Sequence, residues 1–342
     1  MKKKLALLIA LGIFAIQFHS YSQEEKPFRV WLDELKSEAE SKGFSSETIK
    51  SAFSEIREPE ERIVKKDRTQ PEVVESYAGY INRRVTNWRK ENGKRLIKKH
   101  EDLLKKIALK YGVQPRFIVA IWGMETNYGT IPLKESIFSV LATLAYDKRR
   151  ADFFRAQFFD ALTILDKGFA PYEKMKSSWA GAMGQCQFLP ENYLKYAVDF
   201  DKDGKRDIWE TEADVFASIA NYLSSSGWKD HQTWGRRVIL PDISEEDLFN
   251  NKPNDFAPVE QCERYEDLKV WRDLQEWQAL GVRRLNGNDL PTNSIPASLI
   301  VGDAGDNKGY IIYRDFCSIM KYNPAFKYAL AIGMLADHLR EY

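Results

Sequence analysis

Glu125 has the surroundings in this sequence that most favour acid–base chemistry. It directly follows residues 117–124, which are apolar on every side and therefore predict a buried helix. Ionising a carboxyl group in such a place is costly, because desolvation favours its protonated form. A carboxyl that stays protonated near neutral pH can protonate the leaving oxygen of a glycosidic bond. The alternative is a structural glutamate whose buried carboxyl is satisfied by the backbone or by an arginine.

A second segment, residues 177–190, combines small residues with neutral hydrogen-bonding side chains. Four small residues within positions 180–184 allow another backbone or a ligand to approach closely. Ser178 and Gln187 can offer uncharged hydrogen bonds to sugar hydroxyls or to an N-acetyl group. The alternative is a tight helix–helix contact that requires small residues.

An acidic segment, residues 199–210, fits the calcium-loop pattern of an EF-hand, with Gly204 at the sharp turn. Alternating carboxylates in this pattern converge on one hard cation. The positions that supply ligands in the pattern are Asp199, Asp201, Asp203, Lys205 and Glu210. We expect a structural calcium ion, because calcium does not hydrolyse glycosides unaided, whereas the alternative is a merely acidic turn.

Composition excludes several classes of protein. With 51 basic and 50 acidic residues the net charge is +1, and no basic block indicates nucleic-acid binding. The chain has 342 residues, 44% of them hydrophobic, which predicts a main domain with one or two smaller ones. Four histidines argue against a zinc site. Of the three cysteines, Cys262 and Cys317 can pair in an oxidising compartment, although no spacing requires it.

The first residues have the pattern of a secretory signal. Three lysines precede an apolar run at residues 5–18, and a short polar exit follows. About 14 apolar residues are short for a membrane span, and no cysteine stands near the exit for lipid attachment. We expect cleavage near Ser22 and export to the periplasm, with no transmembrane anchor in the mature chain and a mature charge of 1 − 3 = −2.

Helical periodicity dominates the first two thirds of the chain, and short β-branched runs appear only after about residue 234. The expected helices cover 28–56 with a break near Ser45, then 72–111, 117–124, 137–165, 214–223 and 328–339, and an extended charged stretch separates the first two at 57–71. The charges of 72–111 are expected to form a solvated surface. Strands are expected at 237–240, 299–301 and 310–313.

The sequence resembles the lytic murein transglycosylase B family, glycoside hydrolase family 103. The resemblance rests on residues 118–129, 178–190, 196–201 with the acidic loop, 218–222 and 322–323, in family order, and extends more weakly over about 28–339. It implies a mainly α (α+β) fold, with a lysozyme-like helical core, an N-terminal helical region and a small β-rich insertion. The implied divisions are a signal peptide (1–22), an N-terminal helical region (23–98), the catalytic core with its EF-hand-like loop (99–234), a small β-rich domain (235–314) and a C-terminal helix closing the core (315–342).

The resemblance also implies an activity and a site. The family cleaves the β-1,4 bond between N-acetylmuramic acid and N-acetylglucosamine in peptidoglycan, forming 1,6-anhydromuramic ends. Glu125 would be the single acid and then base, as sequential proton transfers allow. The positions that would contact glycan are Ser178, Gln187, Tyr80, Tyr222, Tyr322, Asn323 and Tyr328. In the family an Asp just before the segment 218–222 often closes the metal site, and Asp214 fills that role here only if one residue is inserted. Glu210 holds the ordinary twelfth EF-hand position. No catalytic cofactor, a structural calcium ion, glycan strands as the partner and a monomer are implied.

Two other functions stay open at this stage. A lysozyme-type hydrolase on the same fold needs a second carboxylate, and residues 118–134 hold no acid besides Glu125. A non-catalytic wall-binding protein would not need Glu125, Ser178 and Gln187 together.

Overall fold

Helices form most of the part of the chain that the computed structural model describes, which is residues 26–69, 75–250, 262–265, 268 and 270–340. The predicted signal peptide lies outside these residues. The chain begins with α1 (Phe28–Ser41) and α2 (Ser46–Phe53), whose N-terminus is capped by Ser45 as predicted. A third helix, α3 (Glu61–Arg68), occupies the stretch predicted to be extended, and that prediction is wrong. Ile63 and Asp67 of α3 are buried, because this helix packs against the helix Ile137–Tyr146.

The prediction of a single helix over 72–111 is also wrong. The described part of it forms three helices, α4 (Tyr77–Arg84), α5 (Asn87–Lys99) and α6 (Glu101–Tyr111). The first break has a local cause, since the Thr86 side chain accepts a hydrogen bond from Arg89 N at 3.2 Å and starts a new helix.

The centre of the molecule is α7 (Pro115–Thr126), whose residues 117–124 are all buried as predicted. Proline at the first helical position fits its fixed φ and its missing N–H. The further helices of this part are α8 (Ile137–Tyr146), α9 (Ala151–Asp166), α10 (Pro190–Tyr196), α11 (Glu212–Ser225), α14 (Arg314–Tyr322) and α15 (Phe326–His338). Helices α5, α6, α11 and α15 all pack against α7, and α8 packs against α9.

Two antiparallel sheets complete the described fold. The small one joins β1 (Glu135–Ser136) to β2 (Lys176–Ser177) within the helical part. The larger one has the strand order β4-β6-β7-β3-β5. Its strands are β3 (Gly235–Ile239), β4 (Arg272–Asp273), β5 (Arg283–Arg284), β6 (Pro296–Val301) and β7 (Lys308–Ile312), accompanied by α12 (Glu245–Asn250) and α13 (Leu274–Ala279).

The larger sheet and its two helices, here called the sheet region, have a hydrophobic cluster of their own. Val238, Trp277, Val282 and Ile311 are fully buried there, apart from the cluster that fills the helical part. A disulfide joins Cys262 to Cys317, with Cα atoms 5.3 Å apart, and ties the segment before β4 to α14. Within the described residues, no helix has both the length and the apolar character needed to cross a bilayer.

Candidate active site

Glu125 lies in the last turn of α7, one residue before the helix ends at Thr126. Its side chain is partly exposed, whereas its neighbours Met124 and Thr126 are buried. The chain leaves the helix through two left-handed residues, Asn127 at φ 48° and Tyr128 at φ 62°. Non-glycine residues rarely adopt this conformation, so the surroundings must hold it. The helix end that carries Glu125 is therefore sharply turned.

Tyr328, in the first turn of α15, donates its hydroxyl hydrogen to the Glu125 carboxyl. The ring is 1% exposed. Burial raises the pKa of Tyr328 well above its usual value, and the charge of Glu125 and this hydrogen bond raise it further. Tyr328 therefore remains a protonated donor and orients the Glu125 carboxyl.

Arg89 of α5 stabilises the turned end of α7 through hydrogen bonds. Its guanidinium donates to Gly123 O at 3.1 Å, to Asn127 Oδ1 at 2.9 and 2.5 Å and to Arg84 O at 2.6 Å. The residue is 8% exposed, and burial, followed by the charge of Arg84, lowers its pKa. The Tyr128 hydroxyl donates to Arg89 O at 2.6 Å and closes the network. The charges of 72–111 were predicted to be solvated, and for Arg89 that prediction is wrong.

The small-residue block runs beside α7 as a series of tight turns. Ser178 is partly exposed, and its Oγ accepts from Ala182 N at 3.3 Å. Gln187 has φ 53°, and its amide nitrogen donates to Gly184 O at 3.2 Å. Gly184 has no room for a Cβ, which would lie 2.7 Å from Ile208 O. Both polar side chains are thus held on a fixed backbone instead of forming a helix–helix contact.

Gln185 connects this block to the helix of Glu125. Its Oε1 accepts from Trp122 Nε1 at 2.7 Å, and its Nε2 donates to Trp209 O at 2.7 Å. Thr126 Oγ1 donates to Gln185 O at 3.2 Å. Hydrogen bonds therefore join the small-residue block, α7 and Trp209, near the end of the acidic segment, into one unit.

Aromatic rings cluster next to the block. Tyr222 and Tyr322 have ring centroids 4.7 Å apart, and Phe188 lies 5.7 and 5.8 Å from them. Tyr222 donates to Lys321 O and Tyr322 to Cys186 O, each at 2.5 Å. Burial raises the pKa of Tyr322 well above its usual value, and the charges of Cys186 and Glu125 raise it further.

The remaining predicted glycan contacts differ in exposure. Asn323 is partly exposed and follows the last residue of α14. Tyr80 is fully buried, and its charge raises the pKa of Tyr328 further. Helix α4, which carries Tyr80, packs against α15, which carries Tyr328. Cys186 is a buried free cysteine, and burial raises the pKa of its thiol well above the usual value, which disfavours the thiolate.

The acidic loop brings three predicted metal ligands together. Ligand oxygens of Asp199, Asp201 and Asp203 lie within 4.8 Å of one another. Asp199 Oδ1 is buried and has no hydrogen-bond partner in the part of the chain that the structure describes. Gly204, at φ 89°, turns its N–H back onto Asp199 Oδ2 at 3.0 Å. A buried carboxylate oxygen without a donor fits a calcium ion, which binds oxygen ligands.

The other predicted ligands point elsewhere or contribute only backbone. Glu210 pairs with Lys174 at 2.9 Å and is largely exposed. Asp214 is fully buried, and its two oxygens accept from Phe200 N and Asp207 N, both at 2.7 Å. Burial raises the pKa of Asp214 to about 6, and the charges of Asp201 and Asp199 act in the same direction. Lys205 N donates to Asp203 Oδ1 at 2.8 Å, which orders the loop.

Sequence reasoning did not single out Arg89, Asn127, Gln185 or Phe188. Asn127 lies inside the motif that contains Glu125, so its position was a usable signal. Arg89 carried no signal, because a lysine- and arginine-rich helix looks solvated throughout until its packing is known.

The chain matches the family model for the transglycosylase SLT domain over residues 27–337. It is 32% identical over 261 residues to membrane-bound lytic murein transglycosylase B of Escherichia coli strain K12. That match covers 75% of this chain and 66% of the relative, just under two thirds of the relative's length.

Solved structures give the same result. SltB3 from Pseudomonas aeruginosa, solved with NAG-NAM-pentapeptide, superposes with a TM-score of 0.81 at 37% identity over 92% of this chain and 80% of that one. Its complex with NAG-anhNAM-pentapeptide gives 0.80 at 38% identity, with the same coverage. The Escherichia coli lytic transglycosylase Slt35, solved with calcium, gives 0.72 at 26% identity over 90% and 91% of the two chains.

The helical fold around one partly exposed acid places this protein in the class of lysozyme-like proteins to which these neighbours belong. The predicted mainly α fold with small sheets is confirmed. The chain belongs to the transglycosylase SLT domain family, which confirms the resemblance drawn from its motifs.

Proposed function

We propose that this protein is a peptidoglycan lytic transglycosylase, which cleaves the MurNAc-β-1,4-GlcNAc bond and leaves 1,6-anhydro-MurNAc ends. The observation that carries the proposal is the Glu125 carboxyl, held by the Tyr328 hydroxyl at the end of a buried helix. Family membership supports it, and so do the two SltB3 complexes, one with NAG-NAM-pentapeptide and one with its anhydro form.

Glu125 would act twice in one turnover. Its proton moves to the glycosidic oxygen as the bond from that oxygen to C1 of the muramic sugar breaks. The resulting carboxylate takes the proton of the muramic C6 hydroxyl, whose oxygen forms the new bond to C1. Proton and atoms balance without water, so one carboxyl suffices. The protonated Tyr328 can hydrogen-bond the carboxylate between the two steps.

Glycan would lie along the surface formed by Ser178, Gln187 and the tyrosine cluster. Aromatic faces stack on the apolar faces of sugar rings, and the fixed neutral groups bind hydroxyl and N-acetyl groups. Tyr222, Tyr322 and Asn323 would bind at this surface. Tyr80, fully buried on a helix that packs against α15, would act by supporting Tyr328.

A structural calcium ion would bind Asp199, Asp201 and Asp203, with the Lys205 carbonyl at the position that the EF-hand pattern assigns to it. Asp214 would then support the loop through the amides of Phe200 and Asp207. The ion would supply positive charge that relieves repulsion among the three carboxylates and fixes the loop. The neighbour Slt35 solved with calcium supports this assignment.

Export to the periplasm is part of the same proposal. The signal-like first residues and the Cys262–Cys317 disulfide both suit an oxidising compartment. The divisions 23–98, 99–234, 235–314 and 315–342 would be the structural units, with the protein acting as a monomer on glycan strands.

Product analysis in isotopic water tests the reaction. Purified peptidoglycan digested in H₂¹⁸O should release muropeptides that are lighter by one water molecule than hydrolytic products and that carry no ¹⁸O. Reducing-end products with ¹⁸O at C1 would instead show a lysozyme-type hydrolase. No soluble product under conditions that leave the protein folded would show a wall-binding protein.

A further inference from the structure

A cavity of about 450 Å³ lies between the sheet region and the C-terminal half of α15. Its lining shares no residue with the surface around Glu125. Its lining includes Asp337 of α15, nine residues after Tyr328, which at 100° per residue places the two on opposite sides of the helix and roughly 13 Å apart along it. The cavity has the volume of a small-molecule site, and nothing in the proposed reaction uses it.

Three arginines of the sheet region line this cavity, Arg236 and Arg237 from β3 and Arg284 from β5. The acid in the lining, Asp337, is already paired with Arg116 at 2.9 Å and Arg340 at 4.0 Å, outside the lining. Across the described residues, neither Arg237 nor Arg284 forms an ion pair with a carboxylate. The cavity therefore holds positive charge that no carboxylate among the described residues neutralises through an ion pair.

A further cation, Lys90, adds to the positive potential of the cavity, and one of the lining arginines is held in a fixed position. The pKa of His338, also in the lining, is lowered by burial and then by the charges of Lys90 and Arg237. Lys90 belongs to α5, so the positive potential arises from two sides. Arg236 is held in place by Tyr313, to whose hydroxyl oxygen its Nε donates at 2.8 Å. A held guanidinium loses little conformational entropy when it binds an anion.

The excess is local, since the whole chain has 51 basic and 50 acidic residues. A single carboxylate would be satisfied by one arginine fork, whereas several forks facing one space match a tetrahedral oxyanion with more than one charge. We propose that this cavity binds the phosphoryl or diphosphoryl group of an anionic ligand. Exposed Leu285 and partly buried Met334 add apolar surface to the lining, so the phosphoryl group would be attached to an organic body.

Calorimetric titration with pyrophosphate tests the site on the full chain. Wild type should bind it, and Arg284→Gln should raise the dissociation constant about tenfold or more, as expected for loss of a charge-assisted contact. Arg237→Gln, on the neighbouring strand, should do the same. Arg283→Gln is the matched control, because it removes the same charge next to Arg284 but from a residue paired with Asp289 at 3.3 Å.

Several results would overturn the site. The site is ruled out if wild type does not bind pyrophosphate, or if Arg284→Gln binds it as tightly as wild type. It is also ruled out if sodium chloride at matched ionic strength gives the same calorimetric signal as pyrophosphate. The source of the phosphoryl group is then distinguished with vesicles. Sedimentation of wild type, but not of Arg284→Gln, with phosphatidylglycerol vesicles assigns a lipid headgroup, whereas binding of pyrophosphate alone assigns a free phosphorylated molecule.

Discussion

Arg89 and Arg284 are two cations in very different settings. Arg89 is buried under the helix that carries Glu125, and it donates to two backbone carbonyls and the side-chain oxygen of Asn127. Arg284 faces an open cavity, and in the described residues no carboxylate pairs with it. A buried guanidinium without an acid is stable only when its donors are used, so Arg89 has a structural role. An unpaired guanidinium in a cavity costs little and remains available to a ligand.

The largest effect is expected at the residue that Arg89 supports. Glu125→Gln replaces the acid with an amide of the same shape that cannot donate a proton in this way. We expect release of anhydro-muropeptides to fall about 10³-fold, within the range for loss of a general acid. Chromatographic product assays measure it, and the melting temperature should change by less than about 2 °C. An unchanged rate would show that another residue is the acid.

Arg89→Met tests the structural half of the comparison. It removes the buried donor of Arg84 O and Asn127 Oδ1, so we expect unfolding to be easier by about 3 kcal/mol, with a parallel loss of activity. Urea denaturation measures the difference. The control is Arg95→Met on the same helix, where the side chain is exposed and the expected change is within about 0.5 kcal/mol. Equal losses in the two variants would contradict the bracing role of Arg89.

Calcium extends the comparison to the carboxylates of Asp199, Asp201 and Asp203, which form no ion pair among the described residues. At about 100 times its dissociation constant, calcium should stabilise the protein by roughly 2.7 kcal/mol, seen as a higher melting temperature. Asp201→Ala should remove most of that increase. Glu210→Ala should retain it, because Glu210 pairs with Lys174. The assignment fails if chelator and calcium give the same melting curve for the wild type.

Tyr328→Phe removes one hydrogen bond to Glu125 and keeps the ring. We expect kcat to fall about tenfold with little change in KM, because the lost donor orients the carboxyl. Tyr313→Phe is the matched control in the sheet region, since it also removes a buried hydroxyl bonded to a charged side chain. A similar fall in both variants would indicate loss of stability and not a role at Glu125.

The smallest effect is expected for the stability of Arg284→Gln. Removing an unpaired cation from a positive cavity should change the free energy of unfolding by no more than about 0.5 kcal/mol. Urea denaturation beside Arg89→Met makes the contrast direct. A loss near that of Arg89→Met would mean that Arg284 supports the fold.

Glu125 and its helix were predictable because their signal is continuous in the chain. Residues 117–124 are uniformly apolar, and the acidic loop has a fixed spacing, so neither needs knowledge of distant contacts. The short strands near 237–240, 299–301 and 310–313 were found for the same reason, and the structure has β3, β6 and β7 there.

The remaining features depend on tertiary contacts. Helix α3 was missed because its charged sequence has one buried aliphatic residue, Ile63, and only packing on α8 reveals the helix. The break at Thr86 depends on one capping hydrogen bond inside an otherwise continuous pattern. The arginine cavity gathers residues from β3, β5 and α15, so no local window of sequence contains it.

The hydrogen bond between Tyr328 and Glu125 spans 203 positions of the chain. Residues close in sequence can meet while synthesis continues, but this contact forms only after α15 has emerged and docked on α7. A partly made chain can therefore contain Glu125 and its motif without the donor that orients the acid. The order of the sequence thus delays assembly of the proposed active site until nearly the whole chain exists.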